Sequence, residues 1–198
     1  AAPEQIVATF DETPLGALDD CVARAGLAQA GWAAIPQPER GALVAKFVDA
    51  LEARAEDIAM SITKEMGKPL AEARGEVAKA VGEYRVCIGR ASPPIGAVFP
   101  SQIPGTVAYS TRRPRGVILG INPWNFPFST PMRKAIPSLV YGNAIILKPA
   151  SLTPGAIVLI AEIAAEVLPA DLVQSAIGGG ALGQALAEHI GIDAISFT

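Results

Sequence analysis

The rhythm of apolar positions divides the chain. Residues 17–35 and 39–64 carry apolar side chains at helical spacing, the second with Leu43, Phe47, Leu51, Ile58 and Ile62 along its length. Gly67-Lys68-Pro69 ends that pattern, as glycine and proline usually do. A third helix is predicted over 70–90, with Glu72, Arg74, Glu76 and Lys79 on wet positions, and Ser92-Pro93-Pro94 stops it. In 97–115 the pattern loosens: Phe99, Ile103, Val107 and Tyr109 fall irregularly among Pro100, Pro104 and Gly105. This predicts two strands of a ribbon joined by a turn. From Gly116 onward, short apolar runs at 117–121, 144–147, 172–177 and 193–197 alternate with helical patterns at 131–141, 154–167 and 180–190. Such alternation predicts right-handed crossovers and a parallel sheet. The expected fold class is α/β: amino-terminal helices and a β-ribbon leading into the first half of a doubly wound parallel sheet.

Composition narrows the picture. Of 198 residues, 51% are hydrophobic and 18% charged, which supplies a packed core and argues against disorder. No apolar stretch reaches the roughly 18 residues of a membrane span; the longest candidate, Ala156 to Leu168, is broken by Glu162 and Glu166. A net charge of -3 argues against a nucleic-acid-binding surface. Ala1 to Glu12 has neither the basic start nor the apolar stretch of a signal peptide. Cys21 and Cys87 sit far apart in helical patterns, so reduced, structural thiols in a cytoplasmic protein are expected. The single histidine, His189, lies near the end of a predicted helix and reads as solvated or capping. A histidine-based metal site is therefore not expected. The chain stops at Ile195-Ser196-Phe197-Thr198, the tip of a buried-type strand, which suggests part of a longer protein.

Candidate chemistry gathers at strand ends. The run Gly116 to Ile121 is followed at once by Asn122-Pro123-Trp124-Asn125-Phe126-Pro127. Two prolines cannot continue a strand, so a stiff aromatic loop sits at the carboxyl end of a buried strand, where open α/β sheets bind ligands. Within it, the Asn125 amide could donate to an oxyanion or could satisfy turn backbone groups. Lys148, at the end of the next run, could meet an anion or sugar hydroxyls, or could snorkel to solvent. Gly178-Gly179-Gly180-Ala181-Leu182-Gly183 follows a strand and opens a helix. It satisfies G-x-G-x-x-G, which suits either a phosphate or a ligand-free tight turn. Arg112, Arg113 and Arg115 read as a solvated charged edge.

The PWNFP loop and the GNAIILKPAS run at 142–151 resemble the aldehyde dehydrogenase superfamily. The resemblance implies a Rossmann-like cofactor-binding sheet, truncated here. It implies 1–96 as the helical part of the cofactor domain, 97–115 as a ribbon for oligomerisation, and 116–198 as half of the NAD(P)-binding sheet. The catalytic domain, with its cysteine nucleophile and glutamate base, would lie beyond Thr198. Asn125 then stabilises the oxyanion, and Lys134 matches a lysine near the catalytic centre. Ile121 and Trp124 border the cofactor, Lys148 meets the adenosine ribose, and Gly179, Gly180 and Gly183 lie beside the adenosine. Many NAD-using members have glutamate where this chain has Ser151, a departure that admits NADP as well as NAD. Phe99 to Tyr109 is similar to members acting on semialdehydes of short dicarboxylic acids. The implied function is oxidation of an aldehyde to a carboxylate through a cysteine thiohemiacetal and thioester, in a homodimer or homotetramer. The 198-residue chain alone would be inactive. The other reading is a non-catalytic nucleotide-binding or interaction module.

Overall fold

The computed structural model describes residues 6–93 and 96–198. Pro94 of the expected helix stop and residues 1–5 of the amino terminus lie outside them.

Four helices come first: α1 (Leu18–Ala34), α2 (Gln37–Ala53), α3 (Ala55–Met66) and α4 (Leu70–Ile88). The single helix expected over 39–64 is thus two, broken at Arg54, whose backbone sits at φ -104 and ψ 18. The apolar spacing persists across the break, so periodicity alone misses it. The cue is the acidic start of α3, where Glu56 and Asp57 face the new helix N-terminus. Gly67 closes α3 at φ 76, the left-handed conformation glycine reaches without strain.

A second correction concerns α4. Glu76, expected on a wet position, is buried together with Ala73, Val77, Ala80 and Tyr84. Glu72, Arg74 and Lys79 are exposed, as read from the sequence.

The ribbon is short: β1 (Val98–Phe99) pairs antiparallel with β2 (Ala108–Tyr109). Its apolar side chains Val98, Phe99, Val107 and Tyr109 are exposed. Arg112, Arg113 and Arg115 follow in an exposed segment that belongs to no strand, in line with a solvated role.

The rest alternates: β3 (Val117–Ile121), α5 (Ser129–Val140), β4 (Ala144–Lys148), α6 (Gly155–Val167), β5 (Val173–Ser175), α7 (Gly180–Glu188) and β6 (Ala194–Phe197). All pairings are parallel, in the order β5-β4-β3-β6. The chain therefore steps outward from β3 through β4 to β5, then returns to the other side of β3. Right-handed crossovers put α7 on the face opposite α5 and α6. The reversal makes the carboxyl end of β3 a topological switch point, where such sheets form a ligand crevice. β3 and β4 are buried along almost their whole length. β6 differs from expectation: Ile195 and Phe197, which share one face of the strand, are exposed, so among the described residues that face is left uncovered.

The helical layer is tied to the sheet by specific bonds as well as by packing. Trp32 Nε1 donates to the Leu139 carbonyl of α5 at 2.8 Å. Tyr84 donates its hydroxyl to the Ser129 carbonyl at 3.1 Å and meets Phe128 edge-on, with ring centroids 6.1 Å apart.

Candidate active site

The site begins where β3 ends. The Asn122 backbone N–H donates to the Lys148 carbonyl at 3.0 Å. Its side-chain amide donates to the carbonyls of Gly120 at 2.8 Å and Lys148 at 3.2 Å. Asn122 therefore splices the ends of β3 and β4, and its buried Oδ1 has no partner among the described residues.

Beyond Pro123 the loop turns outward. Trp124 is 51% exposed and does not pack in the core; Ile121 is half-buried. Asn125 is exposed. Its carbonyl accepts from Lys68 Nζ at 2.9 Å, while its side-chain amide enters no hydrogen bond among the described residues. A residue serving only the turn would spend that amide on the backbone.

The loop returns to the core at Pro127 and Phe128. Glu76 Oε1 accepts from the N–H of Phe128 at 3.2 Å and of Ser129 at 3.1 Å, the first orphan donors of α5. Glu76 Oε2 accepts from Lys68 Nζ at 2.5 Å, and that ammonium lies 4.5 Å from the centroid of the Phe126 ring. Sequence reasoning passed over Lys68 and Glu76. Two signals pointed to the latter: it falls three residues after Ala73 and eight before Tyr84, on the stripe that α4 buries.

Lys134 is buried rather than on the helix surface. Its stem crosses Gly120, where an added Cβ would come 3.5 Å from Lys134 Cδ, and its Nζ donates to the Ile121 carbonyl at 2.5 Å. Burial pushes its ammonium down to about 8, within reach of proton transfer near neutral pH.

Lys148 is also buried, which overturns the snorkelling alternative. Nζ donates to the Pro149 carbonyl at 2.9 Å. Burial makes its ammonium easier to deprotonate than an ordinary lysine, partly offset by the Glu12 carboxylate. Gly183 lets α7 lie against it: a Cβ there would stand 3.2 Å from Lys148 Cε. Gly179 and Gly180 open α7 with free space around them. Ile121, Lys134, Lys148 and Gly183 are thus brought together around the ends of β3 and β4. Ser151 is exposed in the turn that follows β4, and no hydrogen bond joins it to the others.

These residues fit a dinucleotide. A buried lysine at a strand end, backbone left open by glycines at a helix N-terminus, and an orphan amide oxygen suit a phosphorylated ligand rich in hydroxyls.

The remaining candidates have structural roles. His189 ends α7; its Nδ1 accepts from Gly191 N–H at 3.0 Å, which leaves Nε2–H to donate to Asp19 at 3.0 Å. It is therefore packed and capping rather than solvated. Cys21 is buried, and its thiol donates to Gln174 Oε1 at 2.9 Å. Cys87 is half-buried, and burial pushes both thiols up, away from the reactive thiolate.

Known proteins resemble the whole chain. The profile of the aldehyde dehydrogenase family matches residues 1–198, and the chain belongs to that family. It is 39% identical over 183 residues to the alpha-ketoglutaric semialdehyde dehydrogenase of Bacillus subtilis (strain 168), covering 91% of this chain and 38% of that protein. It is 40% identical over 185 residues to the benzaldehyde dehydrogenase [NAD(+)] of Pseudomonas putida, with 91% and 38% covered. The solved NAD-dependent benzaldehyde dehydrogenase from Corynebacterium glutamicum superposes with a TM-score of 0.92 at 31% identity, over 98% of this chain and 43% of that one. The chain therefore spans about two fifths of the length of these relatives.

Proposed function

We propose that this chain is the cofactor-holding, amino-terminal portion of an NAD(P)-dependent aldehyde dehydrogenase. The observation that carries the reading is the Asn125 loop: its backbone is pinned and its amide is free, at the switch point of a sheet whose neighbouring strand ends in a buried lysine. The bound nicotinamide would accept hydride from the aldehyde carbon. Asn125 would donate its amide N–H to the oxyanion that forms when a cysteine supplied by the rest of the protein attacks the carbonyl, giving a thiohemiacetal and then a thioester. Lys148 and the α7 glycines would hold the adenosine half of the cofactor. Ile121 and Trp124 would border it, and Lys134 would hold a proton near the Ile121 carbonyl. Ser151 carries no charge against a 2′-phosphate, so NADP as well as NAD is accepted in this reading.

The ribbon β1–β2, with its exposed Val98, Phe99 and Tyr109, would pack against a second copy in a homodimer or homotetramer. The kinship with semialdehyde dehydrogenases supports a short dicarboxylic semialdehyde as substrate. The 198-residue chain on its own has only structural thiols and should not turn over.

The test is aldehyde-dependent formation of reduced nicotinamide by the full-length protein. α-Ketoglutarate semialdehyde and benzaldehyde should be offered with each cofactor. Turnover of the semialdehyde in preference to benzaldehyde supports the reading. Folded, cofactor-binding protein that reduces no cofactor with any aldehyde contradicts it.

A further inference from the structure

Prolines 123 and 127 fix φ at the two ends of the loop but leave Trp124, Asn125 and Phe126 free to rotate. Something else must set the direction of the Asn125 side chain. Lys68 reaches this stretch from the helical layer, and Glu76 reaches the point where it re-enters α5, beside Tyr84. Lys68, in the three-residue connection between α3 and α4, donates to the Asn125 carbonyl at 2.9 Å and lies 4.5 Å from the centroid of the Phe126 ring. Glu76, two turns into α4, accepts from the N–H groups of Phe128 and Ser129. The two are paired with each other, with side chains only 11% and 3% exposed.

Other ion pairs of these helices are different. Arg74 with Glu56, and Arg85 with Glu52, are exposed and touch nothing in the loop. Exposed pairs contribute little, and a buried pair is weak evidence of stability in itself. What sets Lys68 and Glu76 apart is where their remaining hydrogen-bonding capacity goes: one end of the 125–129 segment to each.

We propose that Lys68 and Glu76 are positioning residues for the reaction: they hold the Asn125 peptide plane so that its side-chain amide keeps one direction toward the reacting carbonyl. The inference rests on the oxyanion role proposed for Asn125. The bond to the Asn125 carbonyl fixes the peptide that adjoins the side chain's own Cα. The bonds from Phe128 and Ser129 fix the point where the loop re-enters α5. A donor displaced by about 1 Å loses much of its effect on rate, so the staple should be read in kcat rather than in binding.

The experiment is a cycle in the full-length enzyme. Lys68→Met and Lys68→Arg are each made alone and in an Asn125→Ala background, with kcat, KM and cofactor Kd measured for all. Arg74→Gln, which breaks the exposed pair with Glu56, is the control for a change in helix α4 that does not touch the loop. Lys68→Met should lower kcat about tenfold while KM and cofactor Kd move by less than about twofold. Lys68→Arg keeps the charge beside Glu76 and should recover part of the loss; it carries the cycle if the methionine variant does not fold. In the Asn125→Ala background both changes should cost less than about twofold, since the group they position is gone. Arg74→Gln should leave kcat unchanged. An equal loss of kcat in both backgrounds, or a loss confined to melting temperature, overturns the proposal and leaves the oxyanion reading intact. Full kcat in Asn125→Ala alone overturns the oxyanion reading and the staple with it.

Discussion

The loops that leave β3 and β4 start from neighbouring strands at the same end of the sheet, yet they are built in opposite senses. After β3 the backbone is pinned from outside and the side chains of Trp124, Asn125 and Phe126 are presented outward. After β4 the side chain proposed to hold cofactor, Lys148, is itself buried against Pro149 and Gly183, and the turn at Ser151 and Leu152 is exposed. Each loop then feeds a helix whose first amides meet a glutamate from the helical layer. Glu76 serves α5 and is neutralised by Lys68. Glu65 serves α6 through the Gly155 N–H at 2.9 Å, but its Oε2 is buried without a partner among the described residues, and burial pushes its carboxyl up. The same capping device is thus fully compensated under the loop proposed to act on the aldehyde and left uncompensated under the loop proposed to hold cofactor. In this reading the more fully held loop is the one that carries the proposed hydrogen-bond donor.

Removing Glu76 tests this contrast most severely. Glu76→Ala strands a buried Lys68 and two helix donors, and should destabilise the full-length protein by about 3 kcal/mol or more. Glu65→Gln should be neutral or stabilising, by about 1 kcal/mol at neutral pH, since it removes an unpaired charge and keeps an acceptor for Gly155. The sign follows from the raised folded value. What Glu65 contributes to stability is fully present below its ordinary value of 4.5 and is lost as pH rises through the folded value. The advantage of Glu65→Gln should therefore shrink as pH falls toward 4.5, which denaturant titrations at several pH values would read. Equal losses for the two glutamates would erase the contrast.

A smaller change sharpens the β4 side. Ser151→Glu should shift the NAD over NADP ratio of kcat/KM by about tenfold, through repulsion of the 2′-phosphate. An unchanged ratio would show that this turn does not face the phosphate.

The smallest concerns Lys134 between the loops. Its folded value of about 8 lies below the ordinary 10.5, so its stabilising contribution is present above 10.5 and lost as pH falls through about 8. The stability of the native protein relative to Lys134→Met should rise across that window. A flat difference would mean that the lysine is not desolvated.

Much of this was legible in the chain because local chemistry declared it. The strands, the crossover helices and the parallel sheet follow from alternating apolar runs, and Asn125 and Lys148 lie in or beside the loops that leave β3 and β4, whereas Lys134, inside α5, was marked only by the resemblance to the family. The break at Arg54 was not legible, because the apolar stripe of α2 and α3 runs through it. Glu76 and Lys68 were hidden for another reason. A charged residue on an amphipathic helix is read as wet, and what buries Glu76 is a lysine eight residues earlier and a loop some fifty residues later. Such long-range compensation leaves no periodic trace.

The proposed division of labour between the two loops is tested by cofactor Kd, by direct titration, for full-length Asn125→Ala and Lys148→Ala, with kcat read on the same samples. Lys148→Ala should weaken cofactor binding about tenfold or more, having lost a buried charged donor. Asn125→Ala should bind cofactor within about twofold of the native enzyme while its kcat falls about 100-fold, the usual cost of one oxyanion donor. An Asn125→Ala enzyme that loses cofactor as Lys148→Ala does, or that keeps full kcat, would contradict the division.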